Sequence, residues 1–255
     1  MAEVHYLQDC PSMTLPNGWT IQGFSVAAHK TGFLLPHLRL CFDAGLPSKK
    51  HVDAVCLTHS HGDHSFQIMN LVNRNASKPT TVYCPQDTHK HLQHFMDAAQ
   101  SLNDNQQIQV DHSNIVSLQD NQRIPFKDIE IQTIPCCHTV PCLGYILYKR
   151  KRKRREDGQY DRLMVPQMAF LGDTTVEVFS NRLLDDVPVI FVECTVIDSA
   201  LTREETRKRG HMHWDDLKPI TLTRANTLFV LIHPSKRYKK EQWLSLESHN
   251  VKCWV

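Results

Sequence analysis

Residues 53–64 read DAVCLTHSHGDH: a short apolar segment is followed at once by three histidines and one aspartate. Residues 53–58 are typical of a short buried strand. A loop at the carboxyl end of a strand can direct several imidazoles and a carboxylate into one pocket, and those groups bind transition metals. The candidate ligands are His59, His61, Asp63 and His64. A polar loop of surface histidines is the weaker interpretation, because the pattern HxHxDH rarely arises by chance.

Three further candidate ligands lie where other apolar segments end. His138 stands in PCCHTVPCLGY, Asp173 in MAFLGDTT and His233 in LFVLIHPSKRY. The ends of strands in α/β proteins gather at one edge of the sheets, so these side chains can meet the first cluster. Each residue alone is ordinary, since a histidine at a strand end is more often structural and Gly-Asp-Thr can be a turn with a helix cap. Together with HSHGDH they predict a metal site.

The pattern of apolar residues predicts an α/β protein with mixed sheets covered by helices. We expect strands at residues 20–28, 38–42, 53–58, 80–84, 108–118, 129–134, 143–149, 168–171 and 187–192. We expect helices at residues 86–100, 174–184, 214–224 and 239–247. The sequence shows no repeat and no long linker, so residues 1–255 are expected to form a single domain.

Composition excludes several classes of protein. The chain has 255 residues, of which 41% are hydrophobic and 22% charged, as in an ordinary globular enzyme. Its apolar stretches are far shorter than the roughly 20 residues of a membrane helix, and no signal-peptide pattern opens the sequence, which predicts an intracellular, non-secreted protein. The nine cysteines form no CxxC pair, so we interpret them as reduced thiols.

Seven consecutive basic residues, called the basic run below, set the sign of the net charge. They are Lys149, Arg150, Lys151, Arg152, Lys153, Arg154 and Arg155. Lys and Arg total 29 against 27 Asp and Glu, so the chain would be acidic without the run. Such a run can follow a phosphate backbone. The alternatives are a solvated hairpin or a nuclear-localisation-like signal.

The order HSHGDH, HTVPCLGY, GDTT, ECT, GHMHW and HPSKRY resembles the metallo-β-lactamase superfamily. More narrowly, it resembles the tRNase Z (ribonuclease Z) family, closest to the short plant-type form, from about Trp19 to about Glu241. The resemblance implies an αββα sandwich of two mixed β-sheets flanked by helices. It also implies that residues 149–162, which include the basic run, form a short insert. This insert lies where the family carries a longer RNA-binding arm.

The resemblance further implies a zinc-dependent endoribonuclease that removes the 3′ trailer of precursor tRNA and leaves a 3′ hydroxyl. Two Zn²⁺ ions, with Mn²⁺ possible, would activate a water molecule. One ion would be bound by His59, His61 and His138, the other by Asp63, His64 and His233, with Asp173 bridging them. Asp63 would also be the base, and His211, oriented by Glu193, the proton donor. Ser235, Arg237 and, from a helix start, Thr174 would contact a substrate phosphate.

Other functions remain open from the sequence. A hydrolase of the same fold that acts on small phosphodiesters or thioesters is the main alternative, although the basic run disfavours a small substrate. A non-catalytic RNA-binding protein is a third, which the complete set of candidate ligands disfavours. The expected partners are precursor tRNA or other structured RNA and, by the resemblance, a second copy in a homodimer. The expected location is the cytoplasm or the nucleus, with no membrane contact.

Overall fold

The computed structural model of the protein describes residues 5–72, 79–154 and 160–255, and side chains at 152–154 and 160–162 are outside the description. The first of two sheets has seven strands in the order β1 to β7. They are β1 (Ser12–Thr14), β2 (Thr20–Val26), β3 (Lys30–Leu35), β4 (Leu40–Phe42), β5 (Ala54–Cys56), β6 (Thr81–Pro85) and β7 (Ile115–Leu118). Neighbours from β1 to β4 are antiparallel, whereas those from β4 to β7 are parallel.

The second sheet repeats this arrangement, again with seven strands. They are β8 (Arg123–Phe126), β9 (Ile129–Cys136), β10 (Cys142–Arg154), β11 (Tyr160–Phe170), β12 (Val189–Glu193), β13 (Leu228–Ile232) and β14 (Val251–Cys253). Neighbours from β8 to β11 are antiparallel, and those from β11 to β14 are parallel. Both sheets are therefore mixed, as predicted.

Helices cover the outer faces of the two sheets. They are α1 (Gly62–Ser65), α2 (Ile68–Leu71), α3 (His89–Asp104), α4 (Arg203–Lys208), α5 (Trp214–Thr223) and α6 (Lys240–Leu244). One apolar cluster joins the first sheet to α2 and α3, and another joins the second sheet to α5 and α6. In the described part of the chain, no helix is long and apolar enough to cross a membrane.

The central core lies between the two sheets. It contains Phe33 and Phe42 from the first sheet and Phe170 and Phe191 from the second. The rings of Phe42 and Phe170 stack with centroids 4.6 Å apart and planes 7° apart. Buried aromatic pairs of this kind hold sheets face to face, so the layer order is helix, sheet, sheet, helix. This confirms the predicted αββα sandwich.

Two predicted elements differ in type or extent from the structure, and strand β3 was not predicted. Residues 174–184 form two short 3₁₀ turns rather than an α-helix, because the Asn181 side chain accepts a hydrogen bond from Leu183 N and begins a new turn there. The predicted strand 108–118 is paired only at Ile115–Leu118, since Asp111 accepts from Ser113 N in a turn before it. The sequence did not predict β3, which is buried on both faces and therefore shows no alternation.

The topology brings several chain segments to one edge of the sandwich. The parallel strands β11, β12 and β13 share a direction and end at the same edge of the second sheet. The segments that follow β11 and β13 carry Asp173 and His233, and β12 itself ends at Glu193. His138 follows β9, and the HSHGDH loop follows β5 of the facing sheet.

Candidate metal centre and proton donor

The structure brings the seven predicted ligands together. His59, His61, His138 and Asp173 form one group and Asp63, His64 and His233 form a second, with one ligand atom of each residue within 4.8 Å of the others in its group. Asp173 lies between the groups, since its carboxylate oxygens are 3.5 Å from His64 Nε2 and 3.5 Å from His233 Nε2. Asp173 also groups with His211 and His233.

Glycines allow the HSHGDH loop to fold this tightly. At Gly62 a Cβ atom would lie 2.7 Å from the Phe66 ring, and at Gly45 it would lie 2.1 Å from the carbonyl oxygen of Asp63. Neither position can therefore hold a larger residue without a shift of the loop. The close approach places α1, which carries Asp63 and His64, against β3 and the segment that follows β4.

The histidines of the cluster have ring nitrogens that are free to bind metal ions. His59 Nε2 is buried and has no hydrogen-bond partner among the described residues. The second ring nitrogen of four ligands is held by another group, which fixes the ring and directs the remaining nitrogen toward the cluster. These contacts are Thr58 Oγ1 for His59 (3.0 Å), Asp43 Oδ2 for His64 (2.8 Å), Gly210 O for His138 (2.7 Å) and Thr195 Oγ1 for His233 (3.0 Å). Imidazoles and carboxylates held in this way suit Zn²⁺ or Mn²⁺.

The surrounding histidines lower the pKa values of the two cluster carboxylates, Asp63 and Asp173. Burial alone would raise the pKa of Asp63, but its contacts with the His233 and His64 rings outweigh it and hold that pKa well below its usual range. Burial is likewise outweighed at Asp173, where His233, His64 and His59 keep the pKa low. Burial would lower the pKa of His64, yet Asp173, Asp43 and Asp63 raise it to about 9. The contacts within the cluster therefore favour the anionic form of its carboxylates, which is the form that binds cations.

Glu193 and His211 form a close pair beside the cluster. His211 Nδ1 lies 2.7 Å from Glu193 Oε1, and Glu193 is fully buried. Burial lowers the pKa of His211, but the Glu193 carboxylate and then Asp173 outweigh it and raise the pKa to about 9. A protonated imidazole held in this way can donate a proton. The sequence-based assignment of this pair is thus geometrically feasible.

A cavity of about 270 Å³ opens onto these groups. Its walls include Asp63, Asp173 and His211 together with Arg209 and Arg237. Arg209 was not predicted, although it directly precedes the GHMHW segment that carries His211. Asp43 was also missed. It follows β4 in the way that His59 follows β5, so the same strand-end argument would have found it.

The predicted phosphate contacts are only partly placed at the cavity. Arg237 lines it and donates from Nε to Ser235 Oγ over 3.1 Å. Thr174 is fully buried, and its hydroxyl accepts from Cys137 N over 3.0 Å and donates to Thr175 O. The helix predicted to begin there does not form, so the helix start is wrong, and the phosphate contact of Thr174 stays a prediction. Thr174 supports the segment that carries His138.

The described residues of the basic run, 149–154, continue strand β10. Lys149, Arg150 and Lys151 are exposed on β10, which continues to Arg154 and pairs with β11. The side chains of Arg152, Lys153 and Arg154 and the whole of Arg155 lie outside the described part. Because β10 begins beside the site at Cys142 and rises about 3.3 Å per residue, the run lies about 25–40 Å along the strand from it.

Two mixed sheets packed face to face, with helices outside and a histidine–aspartate cluster at one edge, define a metallo-β-lactamase-type fold. The chain belongs to the β-lactamase superfamily, because residues 31–233 match the family model described as "Beta-lactamase superfamily domain".

Within this superfamily, the resemblance to tRNase Z is confirmed. The chain is 26% identical to tRNase Z TRZ1 of Arabidopsis thaliana over 247 residues, which cover 87% of each protein. It is 22% identical to the chloroplastic tRNase Z TRZ2 of the same plant, over 88% of this chain and 70% of that protein. Its fold is similar to the crystal structure of the short form of human tRNase Z, with a TM-score of 0.60, 16% identity and coverage of 91% and 95%.

Proposed function

We propose that this protein is a zinc-dependent endoribonuclease that removes the 3′ trailer of precursor tRNA and leaves a 3′ hydroxyl. The observation that carries the proposal is the Glu193–His211 pair, which lies at the same cavity as two adjacent groups of metal ligands. A phosphodiesterase that releases an alkoxide needs both a site for cations and a proton donor. The similarity to the Arabidopsis tRNase Z proteins over most of their length supports RNA as the substrate.

Two Zn²⁺ ions, or Mn²⁺, are proposed for the two ligand groups, with Asp173 shared between them. When bound, such ions supply positive charge that activates water and neutralises the phosphodiester. The chain itself supplies the proton transfers. Asp63 lies at the cavity with its Oδ2 held by Ala28 N over 2.9 Å, and it accepts the proton of the attacking water. His211 donates a proton to the leaving 3′ oxygen.

The surroundings of the site are proposed to bind RNA. Ser235 and Arg237 would hold a phosphate next to the scissile bond, and the basic run would contact the phosphate backbone farther away. Residues 1–255 are proposed to form one domain with the basic hairpin as its RNA-binding arm, and two copies to form a homodimer. With precursor tRNA as its substrate, the protein is proposed to act in the cytoplasm or the nucleus.

The proposal is tested by cleavage of an unprocessed precursor tRNA. The purified protein is incubated with the transcript and Zn²⁺ or Mn²⁺, and both ends of the cut are mapped. We expect one cut after the discriminator nucleotide, with a hydroxyl on the tRNA and a phosphate on the trailer. Hydrolysis of small phosphodiesters or thioesters without cleavage of the transcript would favour the alternative function instead.

Metal content provides an independent prediction. Because there are two groups of ligand atoms, the protein reconstituted with excess Zn²⁺ and then desalted should retain about two ions per chain by elemental analysis. His59→Ala should retain fewer zinc ions. His249→Ala is the control and should retain two ions, because His249 is exposed and belongs to none of the ligand groups. A wild-type protein that retains no zinc would contradict the assignment.

The basic run should contribute binding energy but little chemistry. Replacing Lys149, Arg150 and Lys151 by Gln should weaken binding of precursor tRNA and flatten its dependence on salt, because fewer counterions are released. Hydrolysis of a small phosphodiester should hardly change, since these residues are about 25 Å or more along β10 from the site. The control replaces Lys49, Lys50 and Lys90 by Gln. These residues are exposed elsewhere, and the control removes the same number of positive charges. Equal affinity and equal salt slope in wild type and the run variant would identify a solvated hairpin.

A further inference from the structure

We propose that Thr195 is a positioning residue that links the proton-donor pair to the second group of metal ligands. The inference rests on the metal centre of the proposed function and adds a residue to it. Thr195 is the last residue of the ECT segment and follows β12 by two positions. Its hydroxyl contacts Glu193 on one side and His233 on the other, so a single side chain touches both parts of the site.

The hydrogen bonds of Glu193 define the direction of this link. Its Oε1 accepts from Thr174 N over 3.0 Å and from His211 Nδ1 over 2.7 Å. Its Oε2 accepts from Thr195 N over 3.2 Å and from Thr195 Oγ1 over 2.5 Å. A carboxylate has about four acceptor positions, and these four donors occupy them. Glu193 is therefore an acceptor on every side, and the Thr195 hydroxyl must donate to it.

The hydroxyl proton has a second possible acceptor, the carbonyl oxygen of His233, at 3.1 Å. The bond to Glu193 is shorter and goes to a charged group, so it takes the proton. The lone pairs of Thr195 Oγ1 are then left to accept a hydrogen bond, and the ring nitrogen Nδ1 of His233 lies 3.0 Å away. Nδ1 must carry the hydrogen of this bond.

This arrangement selects one tautomer of His233. With the hydrogen on Nδ1, the other nitrogen, Nε2, keeps a free lone pair on the side of the ligand cluster, where Asp63 Oδ2 and His64 Nε2 are each 3.3 Å away. That is the form in which an imidazole binds a cation. The carboxylate that orients His211 thus also fixes His233 through one hydroxyl.

Thr195 also stabilises the backbone conformation of His233. His233 has φ of 62°, a left-handed conformation that residues other than glycine rarely adopt. The Thr195 hydroxyl accepts from the ring Nδ1 of this residue over 3.0 Å, while its own proton is donated to Glu193. It therefore stabilises the unusual position from which His233 reaches the cluster.

The test compares Thr195→Val, which replaces the hydroxyl by a methyl group of similar size, with Thr195→Ser, which keeps the hydroxyl. Zinc affinity is measured by competition with a chelator. We expect Thr195→Val to weaken one of the two bound ions by about 10–100-fold and leave the other unchanged, and Thr195→Ser to retain both affinities. Thr221→Val is the control, since its buried hydroxyl donates to Lys218 O on α5.

A second measurement reads the hydrogen position on His233 in the zinc-loaded protein. Nitrogen chemical shifts of labelled histidines should show His233 with its hydrogen on Nδ1 and zinc on Nε2 in wild type and Thr195→Ser, and a smaller population of that form in Thr195→Val. Unchanged zinc affinities and an unchanged tautomer in Thr195→Val would overturn the inference, as would loss of both ions in Thr195→Ser.

Neither measurement uses RNA, so its outcome is separate from that of the proposed function. If the wild-type protein fails to cleave precursor tRNA but the tautomer and the single zinc affinity respond to Thr195, the link stands and the substrate assignment fails. If precursor tRNA is cleaved at the expected position but Thr195→Val binds both zinc ions as the wild type does, the substrate stands and the link fails.

Discussion

Asp63→Ala should reduce cleavage of precursor tRNA by at least about 10³-fold, while the protein remains folded. The substitution removes a carboxylate that belongs to the second ligand group and that is also the proposed acceptor of the water proton. General base catalysis alone is typically worth 10²–10⁴-fold, and a lost ligand adds to that. Turnover is measured at saturating substrate and zinc, so that weaker binding of either cannot account for the lower rate.

Asp97→Ala is the matched control for this experiment. Asp97 accepts from a backbone amide, Val110 N, over 2.8 Å and contacts a histidine, His112 Nε2, at 2.9 Å. Asp63 makes the same two kinds of contact, with Ala28 N and His233. A general effect of losing such an aspartate would therefore appear in both variants. Wild-type turnover of Asp63→Ala at saturating zinc would refute its role.

The positions of the candidate ligands could be predicted because strand ends are visible in sequence. His59, Asp173 and His233 each follow a short apolar segment, and segments of that kind form the buried strands of an α/β sandwich. Parallel neighbours then place such residues at one edge of a sheet. The prediction thus needed only local patterns and one rule of topology.

Other features of the site depend on contacts between residues that are far apart in sequence. A local sequence pattern does not reveal such contacts. Thr195 matters because β12 and β13 are paired, which places it beside His233. The internal contacts of the Thr174 amide and hydroxyl were not predicted because Glu193 and Cys137 lie far away in sequence. The helix predicted at residues 174–184 is wrong for a local reason, the hydrogen bond from Leu183 N to the Asn181 side chain.

His211→Ala should slow cleavage of precursor tRNA by about 10²–10⁴-fold without loss of metal. His211 is held by Glu193 at 2.7 Å, and its ring centroid is 5.1 Å from that of His138. Its proposed task is to protonate the leaving 3′ oxygen. A substrate whose leaving group is stable as an anion does not need this proton, so hydrolysis of bis(p-nitrophenyl) phosphate should hardly change. The ratio of the two rates is the measurement.

The pH profile gives the same prediction a second readout. A raised pKa means that His211 is protonated below that value and loses its proton as the pH rises through it. Glu193 and Asp173 outweigh burial and raise the pKa to about 9, and bound cations would lower it again. The turnover of RNA by wild type should therefore fall on the alkaline side at or below about pH 9, and this fall should be absent in His211→Ala. Loss of zinc from His211→Ala, or equal slowing of both substrates, would instead make His211 a metal ligand.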